Sequence, residues 1–168
     1  MRRLRLPKFI LVTLVSLCLS LQAEDNNGWQ FDSLAAKETS TKSDPQIIYE
    51  LLLQMLDAWN SHDMDRYLAC YWNSPELLVI IDSEEFDGWQ QLHDSYCKGY
   101  PDRSAMGYCT PARIKVKILS PTLALALTWW SISFPTTKRK VVGNTTTTLR
   151  KFDDGWKVVA AHSSTAEM

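Results

Sequence analysis

The sequence predicts an α+β domain in which a strongly bent antiparallel sheet wraps around three helices that come first in the domain. Apolar residues recur at helical spacing in three segments between residue 44 and about residue 96, whereas the later part of the chain alternates with a period of two. About 125 residues follow residue 43, which is enough for one compact domain and too few for two. We therefore assign residues 44–168 to a single domain.

The first 23 residues have the pattern of a secretory signal peptide. Basic residues at positions 2, 3, 5 and 8 precede an apolar run from Phe9 to Leu21, and Ala23 supplies the small residue before an acidic start. At about 13 residues the run is shorter than the roughly 20 that a transmembrane helix needs, so no stable membrane span is expected. Residues 24–43 are polar and mixed, which predicts a flexible arm. We expect export to the periplasm or secretion.

The charge of the chain argues against nucleic acid as a partner. It has 18 basic and 19 acidic side chains, and removal of the signal peptide would leave 14 basic against the same 19, a net charge of −5. Nucleic acids and anionic membranes attract clustered Lys and Arg. The alternating cations at 113, 115 and 117 and the basic run 138–140 are typical of solvated faces.

The cysteines fit an oxidising compartment without requiring one. Cys70, Cys97 and Cys109 remain after cleavage, and three thiols cannot all pair within one chain. A disulfide between Cys97 and Cys109 would close a loop rich in Gly, Pro and Tyr and would stabilise the fold by roughly 3 kcal/mol. Three free thiols are the alternative. The sequence has no Cys-x-x-Cys spacing and its histidines are far apart, so we predict no metal site and no cofactor.

Three helices are predicted in the first half of the domain. Asp44-Pro45 begins an amphipathic helix, since Asp is a good N-cap and Pro is favoured at the first helical position. Asn60 to His62 breaks this helix, and Asp63 caps a second helix that reaches Trp72. The third helix begins at Trp89, after the turn residues Asp87-Gly88.

The remaining segments predict strands. Leu77–Ile81 is an apolar strand, and Arg113–Ile118 alternates between charged and apolar residues. Leu123–Phe134 is apolar on both faces, so we expect helices to cover one face and a second copy of the chain to cover the other. The threonine-rich segment Val141–Phe152 and the strand after Gly155 complete the sheet. The doubly apolar strand thus predicts a homodimer or a larger homo-oligomer.

Three stretches resemble a known family. They are residues 55–65, from Met55 to Asp65; Asp87-Gly88-Trp89 at the start of a helix; and the final strand, Asp154 to Val159 with His162 and Ser164. Together they look like the SnoaL-like branch of the nuclear transport factor 2-like superfamily. The last strand is similar to the association domain of calcium/calmodulin-dependent protein kinase II. The resemblance covers residues 44–165 and implies a cone-shaped domain with a pocket inside it.

The superfamily includes steroid isomerases, but this chain lacks the catalytic groups that the resemblance would place in it. Their tyrosine, aspartate base and second acid would fall at Met55, near Val79 and near Thr148, where none of these groups is present. The association domains hold small carboxylates with arginines, and the matching positions here are Ser163 and a residue near Thr147. The cationic clamp is therefore missing.

The sequence favours a binding or assembly module without assigned catalysis. The alternative is a small cyclase, dehydratase or isomerase-like enzyme that acts on an apolar substrate with His162 and Asp82 or Tyr71. The parity of the last strand leaves open which face points inward, because a β-bulge would invert it. The predicted pocket residues are Trp59, Tyr71, Trp89, Trp129, Trp130, Thr147, His162 and Ser163. For the aromatic residues among them, ordinary core packing is the alternative role.

Overall fold

A bent six-stranded sheet and four helices form the part of the chain that the computed structural model describes, residues 42–168. The predicted signal peptide (1–23) and nearly all of the predicted arm (24–43) lie outside these residues. None of the helices in the described range is long and apolar enough to span a membrane. The elements are α1 (Asp44–Ser61), α2 (Met64–Leu68), β1 (Leu78–Ile81), β2 (Glu84–Asp87), α3 (Trp89–Gly99), α4 (Arg103–Met106), β3 (Tyr108–Ser120), β4 (Leu123–Phe134), β5 (Arg139–Phe152) and β6 (Gly155–Glu167).

Helix α1 packs its apolar stripe against the sheet. Its buried residues recur every three or four positions, as an amphipathic helix requires. Ser43, rather than Asp44, is the N-cap, and its backbone N–H donates to Gln46 Oε1 (2.9 Å). Asn60, near the other end of the helix, bonds to both the N–H and the C=O of Cys109 at 2.8 Å. This pair of bonds fixes the end of α1 against the start of β3.

The sheet has the strand order β2-β1-β6-β5-β4-β3. All neighbouring pairs are antiparallel except β1 and β6, which are parallel. The predicted α+β architecture is confirmed. The sheet departs from the predicted antiparallel arrangement at the β1–β6 pair. In addition, β2 forms within the acidic segment, the short helix α4 lies in the predicted loop, and α2 ends at Leu68 rather than Trp72.

A β-bulge in β6 decides which residues face the helices. Thr148 pairs with Ala160, whereas the next residue, Leu149, pairs with Val158, so Val159 is an extra residue in β6. Trp156 and Val158 are buried before the bulge. After it the inward positions become Ala161 and Ser163, and the residues between them face outward. The bulge therefore exchanges the inward and outward faces of β6, a possibility that the sequence left open.

Candidate functional site

A cavity of about 300 Å³ lies between the helices and the inner face of the sheet. Side chains from α1, the α2 region, α3 and strands β1 and β3–β6 surround it. Most of these side chains are apolar or aromatic, as is common in small-molecule sites. The lining residues are Leu52, Met55, Leu56, Trp59, Tyr67, Tyr71, Ile81, Asp82, Tyr96, Tyr100, Cys109, Thr128, Trp130, Ile132, Phe134, Arg139, Val141, Thr145, Thr147, Ser163 and Thr165.

Three of the four phenols that line the cavity, those of Tyr67, Tyr71 and Tyr96, cluster on its helical side. The hydroxyls of Tyr67 and Tyr71 lie 3.3 Å apart, and the ring of Tyr67 stacks on that of Tyr96 with centroids 5.8 Å apart. Burial raises the pKa of Tyr71 to about 12. Burial, together with the neighbouring phenols, raises the pKa of Tyr67 and of Tyr96 well above the usual value. The cluster therefore stays neutral and can donate hydrogen bonds.

A chain of polar groups forms the opposite wall. The indole N–H of Trp130 donates to Thr145 Oγ1 (3.0 Å), and Thr145 Oγ1 lies 2.9 Å from Ser163 Oγ. These three residues come from the neighbouring strands β4, β5 and β6: Thr145 pairs directly with Ser163, and Trp130 pairs with Gly143, two residues away from Thr145. The two hydroxyls can each donate or accept, so this wall can adapt to either kind of ligand group.

Asp82 is exposed and is the acidic side chain among the described residues that line the cavity. Its residue has φ 55°, and its backbone N–H donates to Ser163 O (2.8 Å). The carboxylate accepts from Thr165, through the backbone N–H to Oδ1 (2.8 Å) and through Oγ1 to Oδ2 (2.8 Å). Each carboxylate oxygen is therefore already engaged in holding the end of β1 to β6.

The structure brings only some of the predicted site residues together. Trp59, Tyr71, Trp130, Thr147 and Ser163 all line the cavity. Trp59 is almost fully buried, and its Nε1 has no hydrogen-bond partner within residues 42–168.

His162, Trp129 and Trp89 lie elsewhere, which corrects the prediction that they line the pocket. His162 is exposed on the outer face of β6, because the bulge at Val159 inverts the strand before it. Trp129 is on the outer face of β4, where the guanidinium of Arg113 lies 4.3 Å from its ring centroid. Trp89 lines a separate surface groove of about 500 Å³ and donates from Nε1 to Leu68 O (3.1 Å).

The alternative with a disulfide between Cys97 and Cys109 is also corrected. All three described cysteines are free: Cys97 is exposed on α3, and Cys70 and Cys109 are buried. Within the described range, no group of three His, Cys, Asp or Glu side chains could hold a metal ion.

Tyr67, Tyr96 and Thr145 also line the cavity, although the sequence did not predict them as parts of the site. Tyr67 and Tyr71 are four residues apart, a spacing that places two side chains on the same helical face and could have indicated the phenol cluster. Thr145 is two residues from Thr147 and shares its strand face. Tyr96 comes from α3, and its contact with Tyr67 depends on tertiary packing.

Comparisons with known proteins agree with this geometry. A family model described as a SnoaL-like domain matches residues 48–168. An NTF2-like protein of unknown function from Shewanella oneidensis MR-1 is 31% identical, with a TM-score of 0.64, over 71% of this chain and 97% of that chain. A cystatin-like fold protein from Burkholderia xenovorans LB400 is 21% identical, with a TM-score of 0.59, over 73% of this chain and 92% of that chain. No curated protein matches the chain significantly.

Proposed function

We propose that this chain, which belongs to the SnoaL-like domain family, is an exported homodimeric module that binds a small, uncharged, largely apolar molecule in its cavity. The observation that carries the proposal is the lining of the cavity, with neutral phenols on one wall and a Trp130–Thr145–Ser163 hydroxyl chain on the other. Such a site fits an apolar body with one or two hydrogen-bonding groups. The proposal assigns no reaction to it.

The distribution of charge supports an uncharged ligand. Among the described lining residues, Asp82 and Arg139 carry charge, and both are exposed. The Asp82 carboxylate binds Thr165, and the Arg139 guanidinium lies 5.0 Å from the ring centroid of Phe134. A charged ligand group placed deep among the phenols would lose its hydration without a fixed counter-charge.

A titration with matched ligands tests the binding proposal. We expect saturable binding of 2-naphthol by calorimetry and weaker binding of 2-naphthoate, which has the same rings and a negative charge. Thr147→Phe should abolish binding because the new ring fills the cavity, whereas Thr136→Phe, in the exposed turn after β4, should leave it unchanged. Preferred binding of naphthoate, or normal binding by Thr147→Phe, would contradict the proposal.

The outer face of the sheet supports the homodimer. Leu125, Leu127 and Trp129 are half-buried there in a single copy of the chain, with β-strand neighbours on either side. We expect a dimer by native mass spectrometry at micromolar concentration. Leu127→Glu should give monomer, and Ile47→Glu, which places the same charge on the exposed side of α1, should leave the dimer intact. A wild-type chain that is monomeric would refute this part.

Export rests on the N-terminal sequence pattern. We expect the protein purified from its native host to begin at Glu24, which intact mass measurement would establish. Retention of residues 1–23 would contradict cleavage. The same spectrum, recorded under native conditions, would also reveal a ligand that stays bound.

One observation favours the enzymatic alternative. Asp82 and Tyr71 line the same cavity, so a base and a neutral hydrogen-bond donor could act on one substrate, whereas His162 lies outside. A cyclase, dehydratase or isomerase of this kind would remove a proton next to a carbonyl group. Deuterium exchange into 2-tetralone, followed by NMR and lost in Asp82→Asn, would support it. Equal exchange with and without protein would exclude this chemistry for Asp82.

A further inference from the structure

The solvent side of α3 carries a thiol, an imidazole and a carboxylate in contact, away from the cavity. Cys97 Sγ lies 3.7 Å from Nε2 of His93, which is one helical turn earlier. Nδ1 of the same imidazole lies 3.1 Å from Asp94 Oδ1. A nucleophile, a base and a group that orients the base therefore follow one another in the order that nucleophilic chemistry requires.

The surroundings hold the imidazole in this orientation. The indole of Trp89 stacks on the His93 ring, with centroids 4.9 Å apart and an interplanar angle of 27°. Gln90 donates from Nε2 to Asp94 Oδ1 (2.9 Å), and the hydrogen bonds from His93 and Gln90 lower the pKa of Asp94. With Asp94 ionised, Nδ1–H is the donor to the carboxylate. Nε2 then directs its lone pair at the Cys97 thiol.

Cys97 differs from the other two thiols in the described range. Cys70 and Cys109 are buried, and burial raises the pKa of Cys70 and raises that of Cys109 to about 12. A thiol must ionise and be reached by its partner in order to react. Cys97 is exposed, so a partner can reach it, and an imidazole nitrogen lies beside its thiol, whereas Cys70 and Cys109 are buried.

We propose that Cys97 is a covalent modification site that exchanges with disulfides, with His93 as its base and Asp94 as the positioning residue. The thiol proton passes to His93 Nε2, and the Cys97 thiolate attacks one sulfur of a low-molecular-weight disulfide. A Cys97 mixed disulfide forms, the original S–S bond breaks, and the second half leaves as a thiolate that takes up the proton. The incoming disulfide is the oxidant, and the departing thiol is the reduced product. This inference does not depend on the cavity or on its ligand.

Reaction with glutathione disulfide tests the site. The full chain with Cys18→Ser keeps three thiols, and peptide mass mapping locates the adducts. We expect one adduct, on Cys97, formed at least about tenfold faster than on an unstructured peptide that carries the same residues 93–101. His93→Gln should remove that advantage, and Asp94→Asn should lower the rate by a smaller factor. His93→Gln leaves the exposed thiol in place, so it separates activation from accessibility.

Two controls keep the test decisive. In denaturant all three thiols should react at similar rates, which shows that the fold causes the selectivity. Circular dichroism should show that His93→Gln remains folded, and if it does not, His93→Asn takes its place. A first adduct on Cys70 or Cys109, or a Cys97 rate that is equal to the peptide's or unchanged in the folded His93 variant, would overturn the proposal.

Discussion

Gly143 on β5 lies directly opposite Trp130 on β4, and the Trp130 indole occupies the space where a side chain at 143 would be. A Cβ atom at this position would lie 2.5 Å from Cζ2 and 2.6 Å from Cη2 of Trp130, and 2.7 Å from the backbone oxygen of Ser164. Favourable carbon contacts need about 3.5–4.0 Å. Gly143→Ala must therefore displace the indole into the cavity or separate β5 from β6.

The expected cost can be worked out from these contacts. Inserting a methyl group into a packed site costs about 1–3 kcal/mol, and moving the indole also weakens its 3.0 Å bond to Thr145, which contributes about 1 kcal/mol. Replacing Gly by Ala restricts the unfolded chain and returns about 0.4–1 kcal/mol. We expect Gly143→Ala to lower the free energy of unfolding by about 1–3 kcal/mol.

Urea unfolding of four variants measures this effect. Gly99→Ala is the matched control, because a Cβ at Gly99 meets no atom within 4 Å, and it should be neutral or slightly stabilising. In a Trp130→Leu background, Gly143→Ala should cost clearly less, since only the contact with Ser164 O remains. A fully stable Gly143→Ala, or the same cost in both backgrounds, would refute the assignment of the clash to the indole.

Three further predictions concern hydrogen bonds and titration. Asn60→Asp removes the donor to Cys109 O and should lower the free energy of unfolding by about 2 kcal/mol in urea, unlike Ser61→Ala. Since burial raises the pKa of Tyr71 from 10.0 to about 12, its contribution to stability is complete below pH 10 and is lost as pH rises through 12. Urea unfolding with tyrosinate absorbance would detect this loss. Asp44→Asn should cost about 1 kcal/mol at neutral pH, because Asp44 accepts from Lys151 (2.7 Å). The hydrogen bonds of Asp44 lower its pKa, so the difference should vanish as pH falls through that pKa.

Much of the fold could be predicted because its helices and long strands have clear periods. The stripe of α1 and the alternation in β3 each depend on one buried face, which the sequence displays directly. Segment β2 escaped prediction because Glu84, Glu85 and Asp87 surround a single buried residue, Phe86, so no alternation of apolar residues is visible. Its strand conformation comes from pairing with β1 rather than from its own composition.

The position of His162 could not be predicted, because it depends on one inserted residue. Before Val159, even-numbered residues of β6 face inward, and after it the odd-numbered residues do. Neither Val159 nor its neighbours carry the glycine that often marks a bulge. Parity counted from Trp156 therefore places His162 inside, and the extra residue places Ser163 there instead. A shift of one residue places the hydroxyl of Ser163 in the cavity wall instead of the imidazole of His162. This argues against the enzymatic hypothesis in which His162 acts as a base.

The cavity itself follows from a change in side-chain size along the strands. The inward residues of β5 run from Leu149 through Thr147 and Thr145 to Gly143, and larger side chains return at Val141 and Arg139, so side-chain volume is smallest within the strand. The helices contribute both aliphatic and aromatic side chains to the cavity, and the threonines of β5 leave space beneath them. Gly143 has the smallest side chain on this face, and the Trp130 indole of β4 lies over it and donates to Thr145 Oγ1. Gly143 thus makes room for the Trp130 indole, which in turn bonds to the Thr145 hydroxyl, so a larger residue at 143 should impair ligand binding as well as stability.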